Sequence, residues 1–115
     1  MAVHELSIAT SLVETAARNA EAAGARSVVS LDLKVGALAG VEPDALSFCF
    51  PVAARGTICE GAELRLEIVP GSGTCAACGG KTEVRDLLAP CPACGAWPLA
   101  VEGGREMRLE SLEVT

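Results

Sequence analysis

Cys75-Ala76-Ala77-Cys78-Gly79 and Cys91-Pro92-Ala93-Cys94-Gly95 lie with twelve residues between Cys78 and Cys91. Two residues between paired cysteines let the chain turn so that both sulfurs face one ion. A glycine directly after each pair takes the left-handed conformation that points backbone N–H groups at those sulfurs. Two such knuckles are the pattern of a zinc ribbon, and the gap suits one short hairpin returning the second pair to the first. Four thiolates from Cys75, Cys78, Cys91 and Cys94 would close a tetrahedral site with no open position, so a zinc held there is structural and not catalytic. Six cysteines could instead form three disulfides, or the pairs could be redox dithiols. The doubled motif with its glycines argues against the second reading. The paired spacing and the lack of a secretory signal at residue 1 favour zinc in a reducing cytoplasm over the first.

Upstream of the knuckles, residues 5–23 read as a helix. Ala9, Val13, Ala16, Ala20 and Ala23 recur at three- and four-residue steps with Leu12 beside them, Glu14, Arg18 and Glu21 lie opposite, and Gly24 is the stop. Residues 27–36 alternate, with Val29, Leu31, Leu33 and Val35 on one face, as in a half-buried strand. Glu42-Pro43-Asp44 starts a second helix with Leu46, Cys49, Phe50 and Ala53 on its apolar side, which Pro51 should kink or divide. Residues 62–69 are a second strand with Leu64, Leu66 and Ile68 inward. Pro70-Gly71-Ser72-Gly73 reads as a hinge into the ribbon and Gly103-Gly104 as the hinge back. In the last strand, 105–114, Met107 and Leu109 share one parity and Leu112 and Val114 the other, which predicts a bulge or bend near Glu110.

The expected fold is α+β: a small sheet of about three strands with two helices on one face, and a zinc-ribbon lobe inserted between two strands. Residues 1–70 with 104–115 form the α/β domain and residues 71–103 the ribbon. Half of the 115 residues are hydrophobic but only three are aromatic, so the core is aliphatic. The net charge of −6 is spread along the chain, which opposes a nucleic-acid surface. No apolar run is long enough to span a membrane. Cys49 and Cys59 read as buried thiols and not ligands. Trp97, next to the second knuckle, reads as a ribbon packing residue. With one histidine, no nucleophile–base pair and no open zinc position, an enzyme is not expected.

That histidine is His4, close to the start of the chain as written, in Val3-His4-Glu5-Leu6-Ser7. An imidazole beside a free amine can act with it and the intervening backbone amides as one chelate. Four nitrogens in a plane suit Ni(II) or Cu(II) better than Zn(II). The plain alternative is a solvated histidine at a loose end.

His4-Glu5-Leu6-Ser7, the long helix after it, the two cysteine pairs and Gly104-Arg105-Glu106-Met107 together resemble the HypA family, nickel metallochaperones that mature nickel–iron hydrogenases. The likeness extends through Glu42-Pro43-Asp44-Ala45-Leu46, Gly61-Ala62-Glu63-Leu64 and Val69-Pro70-Gly71. It implies nickel at the family's Met-His-Glu terminus, carried here onto His4 and the backbone of Glu5. It also implies a structural zinc on Cys75, Cys78, Cys91 and Cys94, and delivery to a hydrogenase large subunit with a nickel-handling GTPase of the HypB type. One departure stands out, because Met1-Ala2-Val3 precedes the histidine that the family places second. Were Val3 read from a GTG start, Met1-Ala2 would be an extension and the chain would begin Met-His-Glu. With Met1 removed, the amine of Ala2 and the amides of Val3 and His4 would chelate together with the imidazole. With Met1 kept, the amine is one residue too far. The first reading is expected in the organism and the second for the chain as written. A zinc-ribbon interaction adaptor without nickel delivery is the alternative. A hinge beside an edge strand permits strand exchange into a homodimer, though nothing in the sequence requires it.

Overall fold

The chain runs α1 (Val3–Ala22), β1 (Val28–Gly36), α2 (Pro43–Ala54), β2 (Glu63–Val69), β3 (Gly71–Thr74), β4 (Lys81–Val84), β5 (Ala100–Gly103) and β6 (Met107–Val114) in the computed structural model, which describes residues 3–115. It divides into two compact units, Met1–Leu33 with Val41–Glu67 and Arg108–Thr115, and Lys34–Gly40 with Ile68–Met107.

In the first unit, the alanine-rich stripe of α1 is the buried face: Ala9, Leu12, Val13, Ala16 and Ala20 are inside, while Glu14, Arg18 and Glu21 face water. The helix starts at Val3, two residues earlier than the periodicity indicates, which places His4 and Glu5 in its first turn. Gly24 ends it with φ +73°. The Gly24 N–H reaches Glu21 O at 3.0 Å and the Ala25 N–H reaches Ala20 O at 3.0 Å. This paired closure requires a left-handed residue, and glycine adopts that conformation without steric cost. Ala23 falls past the last turn and is exposed, so it leaves the stripe.

α2 packs on α1 through Leu46, Cys49, Phe50 and Ala54. Pro43 occupies the first helical position, where a missing N–H costs nothing. Pro51 does not divide the helix, which runs through to Ala54. Both Pro51 and Ser47 are exposed, so the carbonyl left without its donor is on the solvent side, where water can satisfy it.

β2, β1 and β6 form a three-stranded sheet in that order. The central strand buries Leu31, Leu33 and Val35 as its alternation predicts. Val29 departs from the pattern and is exposed; Val28 is buried in its stead, its N–H tied to Ile58 O at 2.9 Å. The other face is polar, with Ser111 donating to Asp32 at 2.8 Å and Arg65 lying 3.7 Å from the same carboxylate. Sheet edges bury less. Leu64 and Leu66 are half-buried and Ile68, expected inward, is exposed. In β6, Leu109 and Leu112 are both half-buried with exposed Glu110 and Ser111 between them, which is the expected change of parity seen as burial.

The second unit corrects the hinge reading. Gly71-Ser72-Gly73-Thr74 is β3, the central strand of the sheet β4-β3-β5. It pairs antiparallel with β4 from Gly71↔Val84 to Thr74↔Lys81, and with β5 through a register shift between Ser72 and Gly73. A Cβ at Gly71 would sit 2.2 Å from Val84 O, and one at Gly73 would sit 2.7 Å from Ala100 O. The glycines are there because neighbouring backbones approach too closely for any side chain. Gly103 belongs to β5. Gly104, with φ +99°, packs so that a Cβ would lie 2.4 Å from Gly71 Cα. The twelve residues between the knuckles hold one strand, β4, and not a hairpin of their own. Its partner β3 precedes the first knuckle, so residues 75–80 are the loop of the β3–β4 hairpin.

Candidate metal centre

Each knuckle repeats the same backbone geometry. Gly79 (φ +72°) donates to Cys75 O at 2.7 Å, and Gly95 (φ +78°) donates to Cys91 O at 2.8 Å. The Cys75 N–H reaches Gly80 O at 2.9 Å and the Cys91 N–H reaches Ala96 O at 2.8 Å. The β3–β4 hairpin carries the first loop, and the second leads into β5. Cys75 and Cys91 are buried, and Cys78 and Cys94 are exposed.

The four Sγ atoms all lie within 4.8 Å of one another, and this is the group among the described residues compact enough to hold a metal ion. Cys75 and Cys94 are 3.6 Å apart and Cys78 and Cys91 are 3.8 Å apart, sulfur to sulfur. Four sulfurs at tetrahedral corners about 2.3 Å from a zinc would be about 3.8 Å apart, whereas a disulfide needs about 2.05 Å. The thiols are unequal. N–H groups, that of Cys78 above all, hold the Cys75 thiol below its ordinary value. The N–H groups of Cys94 and Ala93 bring Cys91 down to about 7. The Ala96 N–H draws Cys94 downward, but neighbouring Cys75, burial and the sulfurs of Cys91 and Cys78 outweigh it and push Cys94 up to about 12. Four sulfurs this close cannot all ionise unaided, and a dication removes that conflict. The set fits a closed tetrahedral metal ion.

Cys49 and Cys59 are not members of this group and are buried. Burial raises the Cys59 thiol, whose Sγ lies 3.9 Å from Val13 O. Trp97 differs from its expected packing role. It is 58% exposed, because a unit built on four-residue strands has too little interior to cover an indole.

The other candidate site, at the start of α1, lies in the first unit. The His4 side chain is 58% exposed and its Nδ1 lies 3.4 Å from Glu5 Oε2. The Glu5 side chain is buried, and its Oε2 accepts a bond from the Glu42 N–H at 3.1 Å. That bond, with His4 as a lesser contributor, holds the Glu5 carboxyl below its ordinary range in spite of burial. Glu42 is the residue before α2, and its own Oε1 accepts from the Asp44 N–H at 3.3 Å. Met1 and Ala2, which would supply the terminal amine of the expected chelate, lie outside the described residues.

A family profile described as "Hydrogenase/urease nickel incorporation, metallochaperone, hypA" matches residues 3–114. The chain belongs to the HypA family. Among HypA proteins it is 46% identical over 112 residues to "Hydrogenase maturation factor HypA" of Geobacter metallireducens, a likeness covering 97% of this chain and 99% of that one. The protein of the same description from Chlorobaculum tepidum is also 46% identical with the same coverage. The fold is similar to the solution structure of the Ni metallochaperone HypA from Helicobacter pylori, with a TM-score of 0.66, 21% identity and 96% of each chain covered. The HypA match begins at Val3 and so leaves Met1 and Ala2 outside it.

Reading the residues one by one finds His4 and the four cysteines, and gives the Glu5 carboxylate either a role beside the metal or on a partner, or an exposed first-turn position; the structure buries it, on the Glu42 N–H that residue types alone do not indicate. A signal was present. Stepping back four residues from Ala9 along the buried stripe of α1 lands on Glu5, so the periodicity that identifies the helix also places this glutamate inside.

Proposed function

We propose that this chain is a nickel metallochaperone that binds Ni(II) at its N-terminal end and helps insert it into nickel–iron hydrogenase. The nickel donors are the His4 imidazole, backbone amides including that of Glu5, and the terminal amine, with Ala2 and Val3 contributing where Met1 is removed. The observation that carries this reading is the position of His4 in the first turn of α1. The first N–H groups of a helix have no carbonyl partner within it. Deprotonating them to bind a metal therefore breaks no helical bond, and the half-exposed imidazole is within reach of the same ion. Nitrogen donors in a plane select Ni(II) or Cu(II) over Zn(II).

Zinc is proposed for Cys75, Cys78, Cys91 and Cys94, where it would neutralise the thiolates and lock the two knuckles together. Residues 1–70 with 104–115 act as the nickel-binding domain and residues 71–103 as the ribbon. Such a chain carries and hands over an ion and catalyses no reaction. Its partners are a nickel-handling GTPase of the HypB type and the hydrogenase large subunit. A homodimer by strand exchange would use the outer strands β2 and β6. The sulfurs of Cys75 and Cys94 at 3.6 Å and of Cys78 and Cys91 at 3.8 Å are too far apart for disulfides and suit work in a reducing cytoplasm.

Titrating Ni(II) into the wild-type chain and His4→Ala, with the N-terminal mass measured on the same sample, tests the reading. A clear loss of affinity in the variant is expected, and equal affinity would overturn it. The exposed Leu87, Leu88 and Trp97 of the second unit favour, as a second reading, a zinc-ribbon adaptor that grips a partner without carrying nickel. Equal nickel affinity would leave that reading standing.

A further inference from the structure

Leu46, Cys49, Phe50 and Ala54 turn one side of α2 into the core. On the opposite side Phe48 is 65% exposed and Val52 51%, with exposed Pro51 beside them. A single exposed apolar residue is ordinary, but a phenylalanine, a proline and a valine side by side form a patch. Steps of three and four residues place Asp44, Phe48, Pro51, Val52 and Arg55 along one stripe of the helix. Asp44 and Arg55, at its two ends, are both exposed. Among the described residues neither has an ion-pair partner.

The stripe therefore runs acid, apolar, base from the start of α2 to its end. That order is its own complement. Laid antiparallel on a copy of itself, each Asp44 meets Arg55 of the second copy. Each Phe48 then meets the second copy's Pro51, with Val52 alongside. We propose that the outer face of α2 is a self-association surface, on which a second copy of this chain docks its own α2 about a two-fold axis level with the Cys49–Phe50 peptide. The contact is separate from strand exchange at β2 or β6, and joins two folded chains without opening either.

An isologous pairing uses every member of the stripe twice. At 1.5 Å of rise per residue the two Phe48 side chains start about 4.5 Å apart along the helix direction, so they share one apolar centre. Antiparallel packing also opposes the two helix dipoles, which is favourable. The ion pairs lie at the rim in water, where they select the register more than they add affinity. A parallel pair would set Asp44 against Asp44 and Arg55 against Arg55. So small a face buries less than about 1,200 Å² in total, so the dimer is transient and its share grows with concentration.

Sedimentation equilibrium of the full chain, over a concentration series at low salt, tests this against the monomer mass of 11.7 kDa. The average mass should rise toward twice that value. Phe48→Glu sets two carboxylates beside the axis and should raise the dissociation constant about tenfold or more; Phe48→Ala should act in the same direction. Asp44→Arg and Arg55→Asp should each raise it about fivefold, since each change breaks both symmetry-related pairs. The double reversal should restore wild-type association, and high salt should erase the single-variant differences. All these side chains are exposed, and unchanged helical circular dichroism confirms that each variant is folded. A chain that stays monomeric throughout the series overturns the proposal and leaves the stripe to a different protein. A dimer that ignores Phe48→Glu also overturns it and moves the contact elsewhere, to the outer strands. A double reversal that associates no better than the single variants overturns the antiparallel two-fold arrangement.

Discussion

Gly71→Ala separates two readings of the Pro70–Gly73 stretch by the sign of its effect. Were this a flexible linker, alanine would restrict the unfolded chain and stabilise the protein by about 0.4–1 kcal/mol. In the structure the added Cβ meets Val84 O at 2.2 Å and Leu38 Cδ1 at 2.6 Å. The leucine can rotate away, but the carbonyl is backbone in β4. It must retreat by about 0.8 Å before the contact reaches 3.0 Å, below which real Cβ contacts are essentially not found. Overpacking costs about 1–3 kcal/mol, and each β3–β4 hydrogen bond stretched in the process costs about 1 kcal/mol more. A total of roughly 3 kcal/mol falls on the hairpin whose loop is the first knuckle, residues 75–80. Metal binding that depends on this hairpin should then weaken about 10²-fold, at 1.4 kcal/mol per decade. Competition for Zn(II) against a chromophoric chelator measures this, with the helical signal of α1 and α2 as the internal control. Gly40→Ala is the companion variant. Its Cβ meets nothing within 4 Å and only the left-handed φ of +76° opposes it, so about 1 kcal/mol of strain and unchanged zinc affinity are expected. Zinc affinity and melting point in Gly71→Ala at or above wild type would refute the packed-strand account.

Metal removal should act locally. A strong chelator should abolish the order of the β3–β4–β5 sheet, seen as loss of amide protection at 71–84, while the circular dichroism of α1 and α2 persists. Zinc affinity should also fall as pH drops below about 7, because Cys91, brought down to that value, must stay ionised and its three partners must shed protons; chelator competition at stepped pH reads this. Phe50→Ala empties the largest fully buried side chain and should cost about 3–5 kcal/mol, lowering the melting point of the helical unit by more than 10 °C. Glu5 has a carboxyl pKa depressed by the Glu42 N–H, so its ionised form stabilises the fold at neutral pH. That contribution is lost as pH falls below the ordinary carboxyl value and through the depressed one. Melting curves from pH 6 to pH 3 should therefore fall less steeply for Glu5→Gln than for wild type.

Local physics made much of this molecule legible before any coordinates. The three- and four-residue steps of α1, the alternation of Leu31, Leu33 and Val35, and the two-residue spacing within each knuckle all express constraints that act within one turn or one strand. The left-handed glycines after Cys78 and Cys94 follow from the same scale. What escaped was set by neighbours distant in sequence. Gly71 and Gly73 have the composition of a linker, and only the approach of Val84 and Ala100 shows why no larger residue fits. Ile68 has the right parity to be buried, but an edge strand has no partner to cover it. Pro51 is a helix breaker by propensity, yet burial of Leu46, Phe50 and Ala54 on the opposite side outweighs one missing bond. Glu5 lies four residues before Ala9 on the same stripe, yet its residue type also allows an exposed first-turn position, because a charged residue is rarely fully buried unless paired. Its pairing group, a backbone N–H at residue 42, carries no side-chain signature at all.

The two donor sets differ in what holding a metal demands of the chain, and that difference matches the roles proposed for them. Cys75 and Cys91 are buried and each donates its own N–H to a carbonyl five residues on. Releasing an ion from them leaves close-packed thiols, one of them pushed up to about 12 by its neighbours, in a unit with little other core. Loss of metal is then coupled to loss of fold, which suits an ion that stays. At the start of α1 nothing structural depends on the ion. The helix is held by Ala9 through Ala20 against α2, and the first-turn amides are unbonded within the helix. An ion bound there can leave at the expense of its own coordination alone, which is the thermodynamic condition for cargo. Removing nickel should leave the helical circular dichroism and the amide protection of α1 and α2 unchanged, with the melting point falling only by what mass action gives for the free ion. Loss of helical signal or protection on nickel removal would mean that nickel, too, is part of the fold.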